Sequence, residues 1–159
     1  MSPGLANEIL NHTRESDKTA YKAALATVAQ ARHLRPVFLE RQPRPQRHAA
    51  MITTLARPAL ELAAGGLIRA WLVTAQKTML VDFLNSLGVK HENGVVEDLP
   101  KTMEDGKLKS AVDALLAKYP PESVAVYLNA FNELNQANWP NLKTMLESDS
   151  RLQLGAAGA

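Results

Sequence analysis

Apolar residues recur at helical spacing along most of this chain. Between Lys18 and about Arg35, Tyr21, Leu25 and Val28 repeat at three- and four-residue intervals. Ala20, Ala23, Ala24, Ala26, Ala29 and Ala31 fill the gaps. Alanine has the best intrinsic helix propensity, so the pattern predicts a helix capped by Ser16 or Asp17. It should bend or stop near Pro36, because a proline disfavours helix at the residue before it. The most apolar stretch, Ala49 to Leu87, contains Pro58 and Gly65-Gly66. These predict a short helix followed by a longer one over about 67–87. Ile68, Trp71, Leu72, Ala75, Met79, Leu80, Phe83, Leu84 and Leu87 give the longer one a wide apolar stripe, which marks it as the central helix.

Gly88 stands where a helix ends in a left-handed residue, with Val89 as the hydrophobic contact that accompanies such an ending. Asn93-Gly94 supplies both positive-φ positions of a type I′ turn, so residues 89–96 read as a small β-hairpin or a tight turn. Leu108, Ala111, Val112, Leu115, Leu116 and Tyr119 mark one more amphipathic helix. Pro120-Pro121 ends it, and Pro121 opens the next, with Val124, Tyr127, Leu128, Phe131 and Leu134 on its face. Trp139-Pro140 starts a last short helix with Leu142, Met145 and Leu146. The expected fold class is all-α, an irregular bundle of five or six helices around the 67–87 helix. The 159 residues suit a single domain. Within it we expect a helical arm over 1–41, a basic Pro/Arg connector over 42–48, a compact body over 49–150 and a flexible tail over 151–159.

Composition narrows the chemistry. The absence of cysteine removes disulfides, thiolate zinc sites, iron–sulfur clusters and a cysteine nucleophile. The N-terminus has no basic cluster followed by an apolar stretch, so no secretory signal is expected. No uncharged run in the apolar region exceeds the eight residues of 49–56, and 62–68 and 70–76 have seven each, well short of the roughly 20 apolar residues that span a bilayer. The expectation is a cytoplasmic protein with no membrane partner. Charge is uneven: residues 1–80 carry 11 Lys/Arg against 5 Asp/Glu, and residues 81–159 carry 7 against 11. Such asymmetry steers an anionic partner to one end, or lets two copies meet head to tail.

The four histidines, His12, His33, His48 and His91, have no second histidine at i+3 or i+4, and no metal or cofactor is expected. Ala64-Gly65-Gly66-Leu67 lacks the lysine of a phosphate loop, and no Gly-x-Ser-x-Gly elbow occurs. His91-Glu92 with Glu97-Asp98 is the one dense titratable cluster containing a histidine. A hairpin would bring His91 near Glu97 or Asp98, an arrangement suited to proton transfer. The plainer reading is a solvated turn, with Asp98 capping a helix begun at Pro100.

Residues 32–48 hold five arginines against one acid, a local +4. Arginine donates two parallel hydrogen bonds to phosphate or carboxylate. Arg41, Arg44 and Arg47 fall every third residue, so an extended proline-rich conformation would line them along one edge. Arg35, Arg41, Arg44, Arg47 and His48 are the candidate residues for an anion or a partner. No aromatics interleave for stacking on nucleic-acid bases. The neighbouring Val37-Phe38-Leu39 would anchor the segment either to the core or to a partner. The leading functional expectation is a non-catalytic helical interaction module, dimeric or bound to another protein. Two alternatives stand beside it: nucleic-acid or polyanion binding through 32–48, and an enzyme with a site around His91 and Asp98.

Overall fold

Prolines and short polar residues set where the helices begin. In the computed structural model, which describes residues 1–134 and 138–154, Pro3, Pro36, Pro121 and Pro140 each open an α-helix. There the missing N–H is one the helix would leave unpaired anyway. The described residues form an all-α structure of nine α-helices without a strand. These are α1 (Pro3–Ser16), α2 (Lys18–Ala31), α3 (Pro36–Arg41), α4 (Arg44–Leu55), α5 (Glu61–Thr74), α6 (Lys77–Leu87), α7 (Asp105–Lys118), α8 (Pro121–Leu134) and α9 (Pro140–Ser148). Short 3-10 turns occupy Pro58–Leu60 and Ser150–Leu152. Among the described residues nine helices rather than five or six arise because α1 and α3 form where no separate helix was expected, and because a break at 75–76 divides the expected 67–87 helix.

Contacts gather the chain into two compact units, Ser2–Ala75 and the segment from Gln76 onward. The division falls at Ala75/Gln76 and not at the 42–48 segment. In the first unit α5 packs against α1 and α2, and α4 packs against the same pair. The expected N-terminal arm is therefore built into one unit with residues 44–74. Helix α1 is capped by Ser2, whose Oγ accepts from the Leu5 N–H at 3.2 Å, and it buries Leu5, Ile9, Leu10 and Thr13. Asp17 caps α2, its carboxylate accepting from the Ala20 N–H at 3.0 Å. Helix α2 ends four residues earlier than Arg35: His33 turns left-handed at φ 56°, and the Leu34 N–H reaches back to the Ala29 carbonyl at 2.8 Å.

Two expectations are corrected here. The 42–48 segment is not an extended connector. Only Gln42 and Pro43 are extended, and α4 begins at Arg44. Pro43 precedes the helix and Pro45 lies in its first turn, positions at which proline removes no helical hydrogen bond. Nor is there one central helix over 67–87. Helix α5 continues through Gly65-Gly66, and the break falls at Ala75-Gln76, where Gln76 leaves helical geometry at φ −110° and ψ 19°.

In the second unit α8 fills the central role. Six consecutive residues, Ser123 to Leu128, are buried, so this helix is enclosed on all sides. Helix α7 packs between α6 and α8, and α9 lies on α8. Phe83, Tyr127, Phe131 and Trp139 meet through edge-on or tilted ring contacts 5.4–6.0 Å apart. Trp139 also donates its indole N–H to the Pro100 carbonyl at 2.7 Å, and Asn141 donates to the Met103 carbonyl at 2.7 Å. These two bonds pin the strandless link before α7. Gly88 ends α6 as expected, at φ 68°, with the Val89 N–H on the Leu84 carbonyl. Asn93 and Gly94 take φ 53° and 87°, and one antiparallel bridge joins Glu92 to Val95, so 89–96 is a tight turn. No helix starts at Pro100; α7 begins at Asp105. The expected tail is ordered at its start, since Leu152 is buried and its carbonyl accepts from Asn129 at 2.9 Å. Residues 155–159 of that tail lie outside the described residues, as does the side chain of Leu134.

Candidate functional site

The basic segment divides into residues that fold the chain and residues that face water. His48 belongs to the first group. One turn into α4, it is only 2% exposed, and its Nε2 lies 2.8 Å from the Tyr21 hydroxyl on α2. The two rings meet edge-on with centroids 5.8 Å apart. Burial disfavours the charged imidazole, and the guanidinium groups of Arg47, Arg14 and Arg44 add repulsion, so the His48 pKa falls to about 4. Burial also raises the Tyr21 phenol, an effect opposed by the nearby charge of Arg47. At neutral pH this is an uncharged polar pair buried between α2 and α4.

Arg47 also serves the fold. It donates from Nη1 to the Glu40 carbonyl at 3.0 Å, closing the turn between α3 and α4, and its guanidinium lies 6.0 Å from the centre of the Tyr21 ring. The expected edge of Arg41, Arg44 and Arg47 is thus broken up. Arg41 is the last residue of α3, Arg44 the first of α4, and Arg47 lies almost one turn further, partly covered.

Arg35, Arg41 and Arg44 do face solvent. Between them α3 buries a single residue, Leu39, and leaves Val37 and Phe38 in the open, Phe38 at 56% exposure. Leu34, just before α3, is exposed as well. Within the Val-Phe-Leu run Leu39 anchors α3 to its own unit, while Val37 and Phe38 are exposed. Arg32 is held by Thr54, donating from Nη1 at 3.3 Å. The result is a surface around α3 with three apolar side chains among three solvated arginines.

The turn at 89–96 is arranged differently from a proton-transfer site. His91 Nδ1 accepts from the Gly94 N–H at 3.1 Å, and its Nε2 lies 2.8 Å from the Asn85 carboxamide oxygen. Both ring nitrogens are occupied in shaping the turn. Among the described residues no hydrogen bond or ion pair joins His91 to Glu97 or Asp98, which are both exposed. No three His, Asp or Glu side chains gather to hold a metal among the described residues.

Sequence reasoning missed the charged cluster around Asp82. Asp82 on α6 accepts from Lys118 Nζ at 2.6 Å and from the Tyr119 hydroxyl at 2.5 Å, at the end of α7. These two donors hold the Asp82 carboxyl below its ordinary range, Lys118 most strongly. They border a shallow groove of about 260 Å³ with Asn85, Ser86, Ala114 and Leu115. A second groove, of about 380 Å³, lies between α7 and α9. Neither includes a residue of the 89–98 turn. The separation of 36 and 37 residues between partners hides the Asp82 cluster from any spacing rule. Its only sequence signal is the adjacent Lys118-Tyr119 pair at a helix end.

Among the described residues no helix is long and apolar enough to cross a membrane. No protein-family model, no curated protein and no solved structure matches this chain.

Proposed function

We propose that this protein is a non-catalytic helical interaction module, and that the surface around α3 receives an acidic, partly apolar protein partner. The observation that carries the reading is the exposure of Leu34, Val37 and Phe38 beside Arg35, Arg41 and Arg44, on and next to a helix whose one buried residue is Leu39. Scattered exposed apolar residues are ordinary on a protein surface. Three within five residues, ringed by cations, match the composition of interface centres, where aromatics and arginine are enriched. A photo-crosslinking residue at position 38 tests this in the producing cells, with one at Lys22, on the exposed side of α2, as control. A discrete adduct at 38 that is absent at 22 supports the reading. Equal labelling at both, or none at 38, refutes it.

A second reading, polyanion binding, draws on the three solvated arginines. It predicts oligonucleotide binding that falls steeply with salt. It also predicts loss of that binding in the Arg35→Ala/Arg41→Ala/Arg44→Ala variant. Fluorescence anisotropy at several salt concentrations decides it, and no binding at low salt removes it.

A further inference from the structure

The outer face of α5 leaves large apolar side chains in the open. Leu62 is 93% exposed, and Val73 is exposed on the same side three turns later. Gly65, Gly66 and Arg69 lie between them. At 100° per residue these five positions fall within one band of the helix, spaced as a helix–helix contact requires. The two glycines are not demanded by this chain. A Cβ built on either meets nothing within 4 Å, and neither has positive φ. Glycine in a helix interior is less stable than alanine, so each is a standing loss unless something outside the chain approaches the backbone there.

The charges on α5 indicate what approaches. Glu61 and Arg69 lie four residues to either side of Gly65, and both are exposed. Among the described residues neither forms an ion pair. A twofold axis through Gly65, perpendicular to the helix, sets Glu61 of one copy opposite Arg69 of the other, and the reverse at the far end. The same axis brings each Leu62 over the other copy's helix about one turn beyond its glycines. The bare backbone at the crossing lets the two helices come closer than the usual 8–10 Å between axes. A face that complements itself in this way suits an isologous contact.

We infer that α5 docks antiparallel on α5 of a second copy of this chain, crossing at Gly65-Gly66 and flanked by two Glu61–Arg69 pairs. This goes beyond the proposed role of α3 and does not depend on it.

Sedimentation velocity of the full chain over a range of concentrations tests the inference. The parent should show a concentration-dependent dimer. Leu62→Asp should give a monomer with an unchanged circular dichroism spectrum, since the side chain it replaces touches almost nothing within its own chain. Glu61→Arg alone and Arg69→Glu alone should each weaken the dimer at least several-fold by setting like charges opposite one another. The double exchange Glu61→Arg/Arg69→Glu should restore it. A parent that stays monomeric throughout overturns the inference. So does a dimer indifferent to Leu62→Asp, or one that the double exchange fails to restore.

Discussion

Acid should loosen the first unit through one residue, His48, and the size of the effect follows from its surroundings. In the unfolded chain this imidazole titrates near its ordinary 6.5. In the folded unit burial, together with Arg47, Arg14 and Arg44, holds it at about 4. A lowered histidine pKa means that the unfolded state takes up the proton first as pH falls. Stability is therefore complete above about 6.5 and is lost between there and about 4. Each tenfold change in a protonation equilibrium is worth about 1.4 kcal/mol, so the full loss approaches about 3 kcal/mol, and at about pH 5 roughly 2 kcal/mol of it has gone. That is a large share of the 5–15 kcal/mol typical of a domain. Ordinary carboxylates titrate mostly below pH 5, and comparison with His48→Gln isolates the share of this one imidazole in the interval above. Trp71 lies in the first unit, so in a Trp139→Phe background its fluorescence reports urea unfolding around Trp71. Between about pH 7.5 and about pH 5 the parent should lose roughly 2 kcal/mol, and His48→Gln should lose little, whatever its starting stability. If His48→Gln retains the parent's pH slope, the argument from burial and arginine repulsion is wrong.

Four further outcomes are expected. Leu39→Ala should cost about 2–5 kcal/mol, because it removes the one buried side chain of α3, whereas Phe38→Ser should cost less than about 0.5 kcal/mol; chemical denaturation compares them. Gly66→Ala, placed in the Leu62→Asp background to keep the chain monomeric, should gain up to about 1 kcal/mol and raise the thermal midpoint. Asp82→Asn should cost about 0.5–1 kcal/mol near neutral pH, discounted for partial exposure. Because the Asp82 carboxyl is held below its ordinary value, that difference should fade as pH falls below about 4, which acid-side urea curves will show.

Helix ends were the most legible part of this sequence, because they depend on short-range chemistry. Asp17, Gly88, Asn93-Gly94, Pro121 and Pro140 each act as local steric and capping rules require. Where the rules failed, tertiary packing had overridden them. Gly65-Gly66 reads as a break, yet α5 passes through because leucine and alanine flank the pair and Leu67, Trp71 and Leu72 bury one side. Ala75-Gln76 carries no breaker at all, yet the helix stops there and the two units divide. Helix α1 was legible in principle. Ser2-Pro3 is a start signal, and Leu5, Ile9 and Thr13 fall at four-residue spacing. The Tyr21–His48 pair was not legible, since 27 residues separate the partners and nothing local distinguishes a buried histidine from a solvated one.

The same distinction decides how the basic segment must be tested. Counted along the sequence, Arg41, Arg44 and Arg47 form a regular series, and removing all three is the natural experiment. The folded arrangement makes that choice unsound. Arg47 closes the α3–α4 turn through the Glu40 carbonyl and lies against Tyr21, so its loss disturbs the seat of α3 itself. A variant lacking it would lose partner binding whether or not the arginines ever touch a partner. Among the described residues Arg35, Arg41 and Arg44 form no hydrogen bond, ion pair or ring contact, so their joint removal takes away charge and leaves Leu39 and the Arg47–Glu40 bond holding α3 in place. Loss of binding in that variant, with the thermal midpoint unchanged, can then be assigned to the surface and not to the fold.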